Sequence, residues 1–441
     1  MSLSSQPYKG TRDYYPEDKR IMNYVFHTWR TVVEGFGYED YLPPLLEPLE
    51  LYAAKTGQEI VNEQTYTFTD RGERTVAIRP EMTPSVSRMV AARQQEIGYP
   101  ARWYNIANYM RYERPQRGRE REFWQLNADV FGVAGPEADA EIILLAHEIM
   151  KAFKATEKMY TIRINHRELI NAMMRDYLGL STVQAELMIK LFDKKGKIPH
   201  ETFRDTAVEI FGQDAAPEGL RKIAKLISAN SIDALPAELA DLKPVQELQQ
   251  LFKMIHSGGA RNIVFDISLM RGFDYYTGMV FEVFDNHPDN NRAMFGGGRY
   301  DGLVSLFGGE SVPTVGFAPG YTTMEVFLRS HDLLPEVSST TDVYMIVLGE
   351  AGTGASKLAR RLRSEGIKVA VDITGRKLDK QIKAAVKMHI PYMLFVGEKE
   401  IANEVYRLKD VKKQREQELS FERIVTSVND YRGRNKDELD I

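Results

Sequence analysis

The stretch Arg111-Tyr112-Glu113-Arg114-Pro115-Gln116-Arg117-Gly118-Arg119-Glu120-Arg121-Glu122-Phe123-Trp124-Gln125 decides how this chain folds. Aromatic and β-branched runs between 103 and 131 flank a polar centre, 114–120, where Pro115 and Gly118 favour a reversal. The pattern predicts a β-hairpin with arginines 111, 114, 117, 119 and 121 crowded at its tip. Residues two apart on a strand share a face, so Arg119, Arg121 and Phe123 are expected to point into one cleft. Guanidinium groups bind phosphate oxygens bidentately, and an arginine-lined cleft is what a polyphosphate substrate needs. The plainer account is a solvated basic turn, which the buried-looking strands on either side disfavour.

Around the hairpin, 20–34 reads as a helix ended by Gly35-Phe36-Gly37-Tyr38, and 81–93 as another that starts just after Pro80. An apolar stripe of helical spacing covers 137–154, and 160–165 returns to strand. This order fits one mostly antiparallel sheet flanked by helices, an α+β core, better than strict βαβ alternation. From 178 to 258 aromatics thin out and helical periods dominate, as in 183–192 and 220–227, which reads as a helical insertion. Strand chemistry resumes at Ile263, and 273–284 is rich in aromatics and valine, with Tyr275 and Tyr276 read as strand residues. The run Gly296-Gly297-Gly298-Arg299-Tyr300 follows and reads as a sheet bend. A linker is expected at 331–341, and beyond it alternating strands (343–348, 368–371, 392–396) and helices (355–365, 378–388) make a small α/β unit. The expected organisation is a discontinuous core, 1–177 with 259–330, then the insertion 178–258, the linker, and 342–441 with a frayed charged tail from 432.

Composition narrows the chemistry. The chain has 441 residues, 43% hydrophobic and 27% charged, the balance of a multidomain globular protein. Zero cysteines exclude disulfides, thiolate metal sites and cysteine nucleophiles. The eight histidines are scattered without metal-ligand spacing, so no metal site is assigned. No apolar opening stretch follows a basic patch, and the longest apolar run, 142–146, is far too short for a bilayer, so a cytoplasmic protein without membrane contact is expected. Net charge is −4, yet 351–390 carries ten Lys/Arg against three acids, a field suited to phosphates. Gly349-Glu350-Ala351-Gly352-Thr353-Gly354-Ala355-Ser356 has P-loop spacing, but Ala355 stands where the lysine belongs, which argues against nucleotide hydrolysis there.

Taken together these stretches resemble the histidyl-tRNA synthetases, which are class II aminoacyl-tRNA synthetases. The likeness runs from Tyr8-Lys9-Gly10-Thr11-Arg12-Asp13 to the last α/β unit. Residues 111–125 look like class II motif 2, 38–44 like motif 1, whose family role is dimerisation, and 271–276 like the signature that separates this synthetase from its class II relatives. The resemblance implies a class II antiparallel-sheet core with a helical insertion and a C-terminal anticodon-binding domain. It also implies ATP, with magnesium, as substrate, together with L-histidine and the histidine tRNA, and a homodimer. Carried over by position, Arg111 and Arg271 would hold the α-phosphate and the reacting carboxylate. Glu113 joins the ATP site, Arg119 would meet the outer phosphates, and Phe123 would stack on adenine. Glu81, Thr83 and Gln125, with Met82 beside them, would bind the α-amino group, while Asp129, Tyr275 and Tyr276 would face the imidazole. In the last unit Arg376 and Lys377 are the first choices for tRNA contact.

A neutral imidazole offers one donor and one acceptor, which a carboxylate and a phenol can satisfy together. Bacterial relatives often carry glutamate where this chain has Asp129, and histidine where it has Trp124. Motif 3 resembles Val315-Gly316-Phe317-Ala318-Pro319-Gly320, but the Glu-Arg pair that follows in the family is Thr322-Thr323 here. A charge-assisted hydrogen bond contributes about 1.5–3 kcal/mol, so loss of that arginine predicts a rate lower by about one to two decades unless another cation substitutes. Thr323 is also the main support for a second reading, a catalytically reduced regulatory relative that binds histidine or tRNA. An unrelated ATP- or RNA-binding module is the third.

Overall fold

The computed structural model describes residues 3–53, 63–196, 198–270, 275–290, 292–336 and 339–436. The chain divides into two compact units, Met1–Leu334 and Pro335–Ile441.

The first unit is built on an eight-stranded sheet in the order Glu39–Asp40, Ala101–Met110, Glu122–Phe131, Thr314–Phe317, Ala293–Arg299, Met279–Asp285, Tyr160–His166, Ile263–Phe265. Only the two edge pairings are parallel; the interior is antiparallel. The hairpin anticipated from its alternation is there, with ten residues in each arm. Along its second arm Leu126, Ala128 and Val130 turn to the apolar core, while Gln125, Asn127 and Asp129 turn to a cavity on the opposite face.

Helix Pro16–Gly35 covers the sheet because its sequence suits both its start and its buried side. Pro16 occupies the first turn with Glu17 and Asp18, where a missing amide costs nothing and negative charge meets the helix dipole. Met22, Val25, Trp29 and Val33 recur at helical spacing on the buried face. The helix stops at Phe36, and Gly37 takes the positive φ of 81° that lets the chain turn away. Helix Pro136–Ala152 packs beside it. The stretch 178–258 is helical, but its last helix, Lys243–Ser257, packs on Pro136–Ala152 and so joins the core layer.

In the second unit a five-stranded sheet runs Val369–Val371, Val343–Val347, Tyr392–Val396, Val405–Asp410, Arg415–Ser420. Its first three strands are parallel and its last two antiparallel. Helices Gly352–Ser364 and Phe421–Lys436 pack over one face and Leu378–Lys387 over the other. The closing hairpin and the final helix lie outside the sequence expectation. Tyr406, Leu408 and Leu419 are the hairpin's buried residues, so its alternation is diluted by charges that suit a sheet edge. The frayed-tail reading fails as far as Lys436; the rest of that tail lies outside the described residues.

Candidate active site

The cavity against the open face of the first sheet measures about 550 Å³. Of the residues anticipated from sequence, Glu81, Met82, Thr83, Arg111, Arg119, Gln125, Asp129, Tyr275 and Tyr276 line it. Glu113 and Phe123 stand just behind. Glu113 pairs with Arg119 at 3.1 Å, and the Phe123 ring lies 5.4 Å beneath the Arg111 guanidinium. Arg111 is further held by donating to the Pro80 carbonyl at 2.9 Å, so the hairpin's first arm and the start of helix Thr83–Ala92 are fastened together. Arg271 lies outside the described residues, and Arg376 and Lys377 belong to the second unit.

Two expectations need correcting. Arg121 does not face the cavity with Arg119. Strand geometry begins only at Glu122, so alternation does not extend back into the tip. Arg121 instead donates to the Tyr8 hydroxyl at 3.0 Å and the Lys9 carbonyl at 3.2 Å, and its guanidinium lies 4.0 Å from the Tyr112 ring. It fastens the N-terminal segment to the hairpin. Arg12 does the same from the other side, meeting Glu120 at 3.4 Å and Glu325 at 2.8 Å. The second correction concerns the tyrosine pair. Tyr275 and Tyr276 precede the strand Met279–Asp285 and sit in a turn, which lets both rings reach the cavity where a strand would send them to opposite faces.

The chemistry of the cavity floor centres on Asp129. It is 5% exposed, and among the described residues its hydrogen-bond donor is the Tyr300 hydroxyl. Burial pushes the carboxyl up to about 7, against the pull of that hydrogen bond. Tyr275 places its hydroxyl 2.9 Å from Glu81 and 3.3 Å from Thr83. Its ring meets Tyr276 edge-on at 5.1 Å and Tyr300 at 5.7 Å. Burial drives the hydroxyls of Tyr275, Tyr276 and Tyr300 upward, so all three remain protonated donors at neutral pH. The pocket therefore pairs a buried carboxylate with phenols, an arrangement matched to a small ring carrying one N–H and one lone pair.

Tyr300 escaped the sequence reading, although its position after the glycine run was a signal. The glycines make the pocket possible. Gly316 sits opposite Asp129 in the sheet register, and a Cβ there would overlap the Asp129 carboxylate. A Cβ on Gly298 would come 3.0 Å from the Tyr276 ring. Next to Tyr300, the buried Arg299 donates to Asp139 at 3.0 Å and to the carbonyls of Val133 at 2.9 Å and Gly135 at 3.0 Å, locking the strand's end to helix Pro136–Ala152. Thr323 shares its hydroxyl between the carbonyls of Met294 and Gly320, both at 3.0 Å. It contributes no charge.

Residues 10–323 match the family described as histidyl-tRNA synthetase, and 342–431 match the anticodon binding domain. A histidine–tRNA ligase of Leptospira biflexa is 40% identical over 434 residues, covering 98% of each chain. That of Haloarcula marismortui is 35% identical, covering 91% of this chain and 93% of the relative. The crystal structure of histidyl-tRNA synthetase from Nostoc sp. PCC 7120 superposes with a TM-score of 0.83 at 24% identity, over 98% of this chain and 100% of that one, and so shares the fold.

Proposed function

The chain belongs to the histidyl-tRNA synthetase family, and from that premise we propose the course of its reaction. It joins histidine to its tRNA with ATP as co-substrate. In the first step a histidine carboxylate oxygen attacks the ATP α-phosphorus, the bond to the β-phosphate oxygen breaks, and pyrophosphate leaves with the electron pair. In the second, a hydroxyl of the tRNA's terminal ribose attacks the histidyl carbonyl carbon and AMP leaves. Little covalent chemistry falls to the protein, so positioning and charge carry the catalysis.

The observation that carries this reading is the buried Asp129 with its ring of tyrosines. Asp129 accepts the imidazole N–H, and Tyr276 donates to the other ring nitrogen. A side chain lacking either group leaves buried polar atoms unpaired, which is how such a pocket discriminates. Glu81, Thr83 and Gln125, lining the same cavity, hold the α-amino group. Arg111, with Arg271, steadies the carboxylate and α-phosphate; Arg119 meets the outer phosphates, and Phe123 offers a face to adenine beside Glu113. Among the described residues no three His, Asp or Glu side chains are grouped to hold a metal ion. Magnesium carried on the ATP phosphates would offset their charge.

Leu42, Leu45, Leu46 and Phe68 are exposed in and around the motif 1 stretch, an apolar area that a second copy would cover in a homodimer. As an enzyme acting on tRNA it works in the cytoplasm; among the described residues no helix is long and apolar enough to cross a membrane. In the second unit the exposed Lys377 meets RNA phosphates, whereas Arg376 is already committed to Asp372. The test is exchange of labelled pyrophosphate into ATP by the purified chain without tRNA. Exchange with histidine alone among the amino acids is expected. Histidine binding without exchange would overturn the enzymatic reading in favour of a regulatory one.

A further inference from the structure

Beside the cavity wall formed by Asp129 and Asn127, the same face of the sheet carries a second polar layer. Tyr41 follows the edge strand Glu39–Asp40, which pairs with Ala101–Met110 so that Asp40 stands opposite Tyr104. The Tyr41 amide donates to the Tyr104 carbonyl at 2.9 Å, which sets Tyr41 next to Asn105. Trp103 in turn stands opposite Asp129, and Asn105 opposite Asn127, so these four side chains share one face. The Tyr41 ring lies 5.8 Å from that of Trp103 and packs against Met82, Ala107 and Tyr109. Two atoms of this layer are left over. The Tyr41 hydroxyl oxygen and the Asn105 amide nitrogen are both buried, and among the described residues neither has a hydrogen-bond partner. Their neighbours are already engaged. Asn127 donates to the Tyr109 hydroxyl at 2.7 Å and to the Asn105 side-chain carbonyl at 3.4 Å. Arg79, the cation of this layer, donates to the carbonyls of Asn108 at 2.9 Å and Pro43 at 3.2 Å.

We propose that Tyr41 and Asn105 hold one ordered water beside Asp129, that this water turns a hydrogen to the carboxylate, and that Tyr41 is thereby a positioning residue for histidine recognition. Buried donors are nearly always paired with protein or with ordered water, and a water needs about three polar partners. Two leftover groups on neighbouring strands with a carboxylate beside them supply that number. Burial, and after it the charge of Asp129, push the Tyr41 hydroxyl well above its ordinary range, so it stays protonated at neutral pH. The other titratable groups that feel the Asp129 charge are the phenols of Tyr38, Tyr109, Tyr276 and Tyr300, and burial keeps all of them protonated too. Asp129 is therefore the member of this group that ionises near neutral pH. An ionised carboxylate accepts about four hydrogen bonds, so Tyr300, an imidazole and a water can all be served. A bridging water fixes the carboxylate and favours its charged form. The role in recognition rests on the synthetase reading; the water itself does not.

Tyr41→Phe in the full chain keeps the ring against Trp103 and removes only the hydroxyl. A high-resolution crystal structure of the parent should show a water within hydrogen-bonding distance of Tyr41 Oη and Asn105 Nδ2, and the variant should lose it. Carbon-13 NMR titration of the Asp129 carboxyl, assigned by its absence from Asp129→Asn, needs no ligand, and its midpoint should move to higher pH in Tyr41→Phe. In pyrophosphate exchange the KM for histidine should rise about 2- to 10-fold, the effect of one neutral hydrogen bond, while that for ATP stays within about twofold. Asn105→Leu should act alike, and the double variant should lose little more than either single one, because both residues work through the same water. Direct closure of Tyr41 and Asn105 on protein groups in the crystal, or an unmoved Asp129 midpoint in Tyr41→Phe, would overturn the water. Equal rises in the two KM values would overturn the positioning role. A displaced midpoint in a chain that makes no adenylate supports the water and counts against the synthetase reading alone.

Discussion

Asp129 in the first unit and Asp372 in the second are each 5% exposed, yet their carboxyls move in opposite directions. Burial carries Asp129 up to about 7, and among the described residues the Tyr300 hydroxyl pulls it back. Burial also acts on Asp372, but the hydroxyl and amide of Thr374, the Tyr344 hydroxyl and Arg376 outweigh it and hold that carboxyl down to about 2. Distances bear this out, with Thr374 Oγ1 at 2.5 Å, Tyr344 Oη at 2.8 Å and the Arg376 guanidinium at 2.7 Å. A carboxylate whose partners come from its own fold is a structural rivet. One with a single donor among the described residues has acceptor capacity to spare, which in the proposed reading a ligand takes up. The loop Asp372-Ile373-Thr374-Gly375-Arg376 is thereby set by its own contacts, while Asp129 faces a cavity.

The comparison breaks most easily at Asp129. Asp129→Ala should raise the KM for histidine about 100-fold or more while the KM for ATP changes little, because a buried recognition group is left unmatched. Histidine and ATP dependence of pyrophosphate exchange measures both, and equal rises would mean the carboxylate serves the whole site. The same residue predicts an opposite effect on folding. Its carboxyl is raised above its unfolded value, so its contribution to stability is full below about pH 4 and is lost as pH rises through about 7. Asp129→Asn, which removes the charge, should therefore unfold at a higher temperature than the parent at pH 8, with the gap closing toward pH 4.

Asp372→Asn should behave in reverse. Losing a carboxylate with several donors costs about 1.5–3 kcal/mol of the second unit's stability at pH 7. Here the folded carboxyl is depressed, so the stabilisation is present above about pH 4 and fades as pH falls toward 2. The difference in denaturant midpoint between parent and variant should shrink over that interval. Histidine-dependent exchange, measured without tRNA, should be untouched, and a matching loss of exchange would dissolve the contrast between rivet and pocket.

Much of this was legible along the chain, and what was not has a common cause. The hairpin of 101–131 shows itself because both arms alternate and its tip is unlike any core segment. Helix Pro16–Gly35 shows itself through its spacing. The Tyr300–Asp129 contact joins residues 171 positions apart, which no local pattern encodes. Arg121 and Arg376 read as surface cations seeking phosphate, since charge is visible in a sequence and its partner is not. One closes on Tyr8 and the other on Asp372.

Tyr300→Phe gives the smallest effect and the sharpest test of that single donor to Asp129. The substitution keeps the ring against Tyr275 and removes only the hydroxyl that donates to the carboxylate. Without that donor burial acts almost alone, so the Asp129 carboxyl should rise above 7. A protonated carboxyl no longer presents a charged acceptor to the imidazole N–H, so the KM for histidine should rise by about tenfold near pH 7. Raising the pH should recover much of that loss, because ionisation is delayed rather than abolished. The pH profile of kcat/KM for histidine is the measurement, and its acidic limb should shift to higher pH relative to the parent. A uniform loss at every pH would mean that Tyr300 contributes shape alone. A shifted limb would mean that one phenol, contributed by the strand's glycine-rich end, tunes the acceptor proposed for histidine.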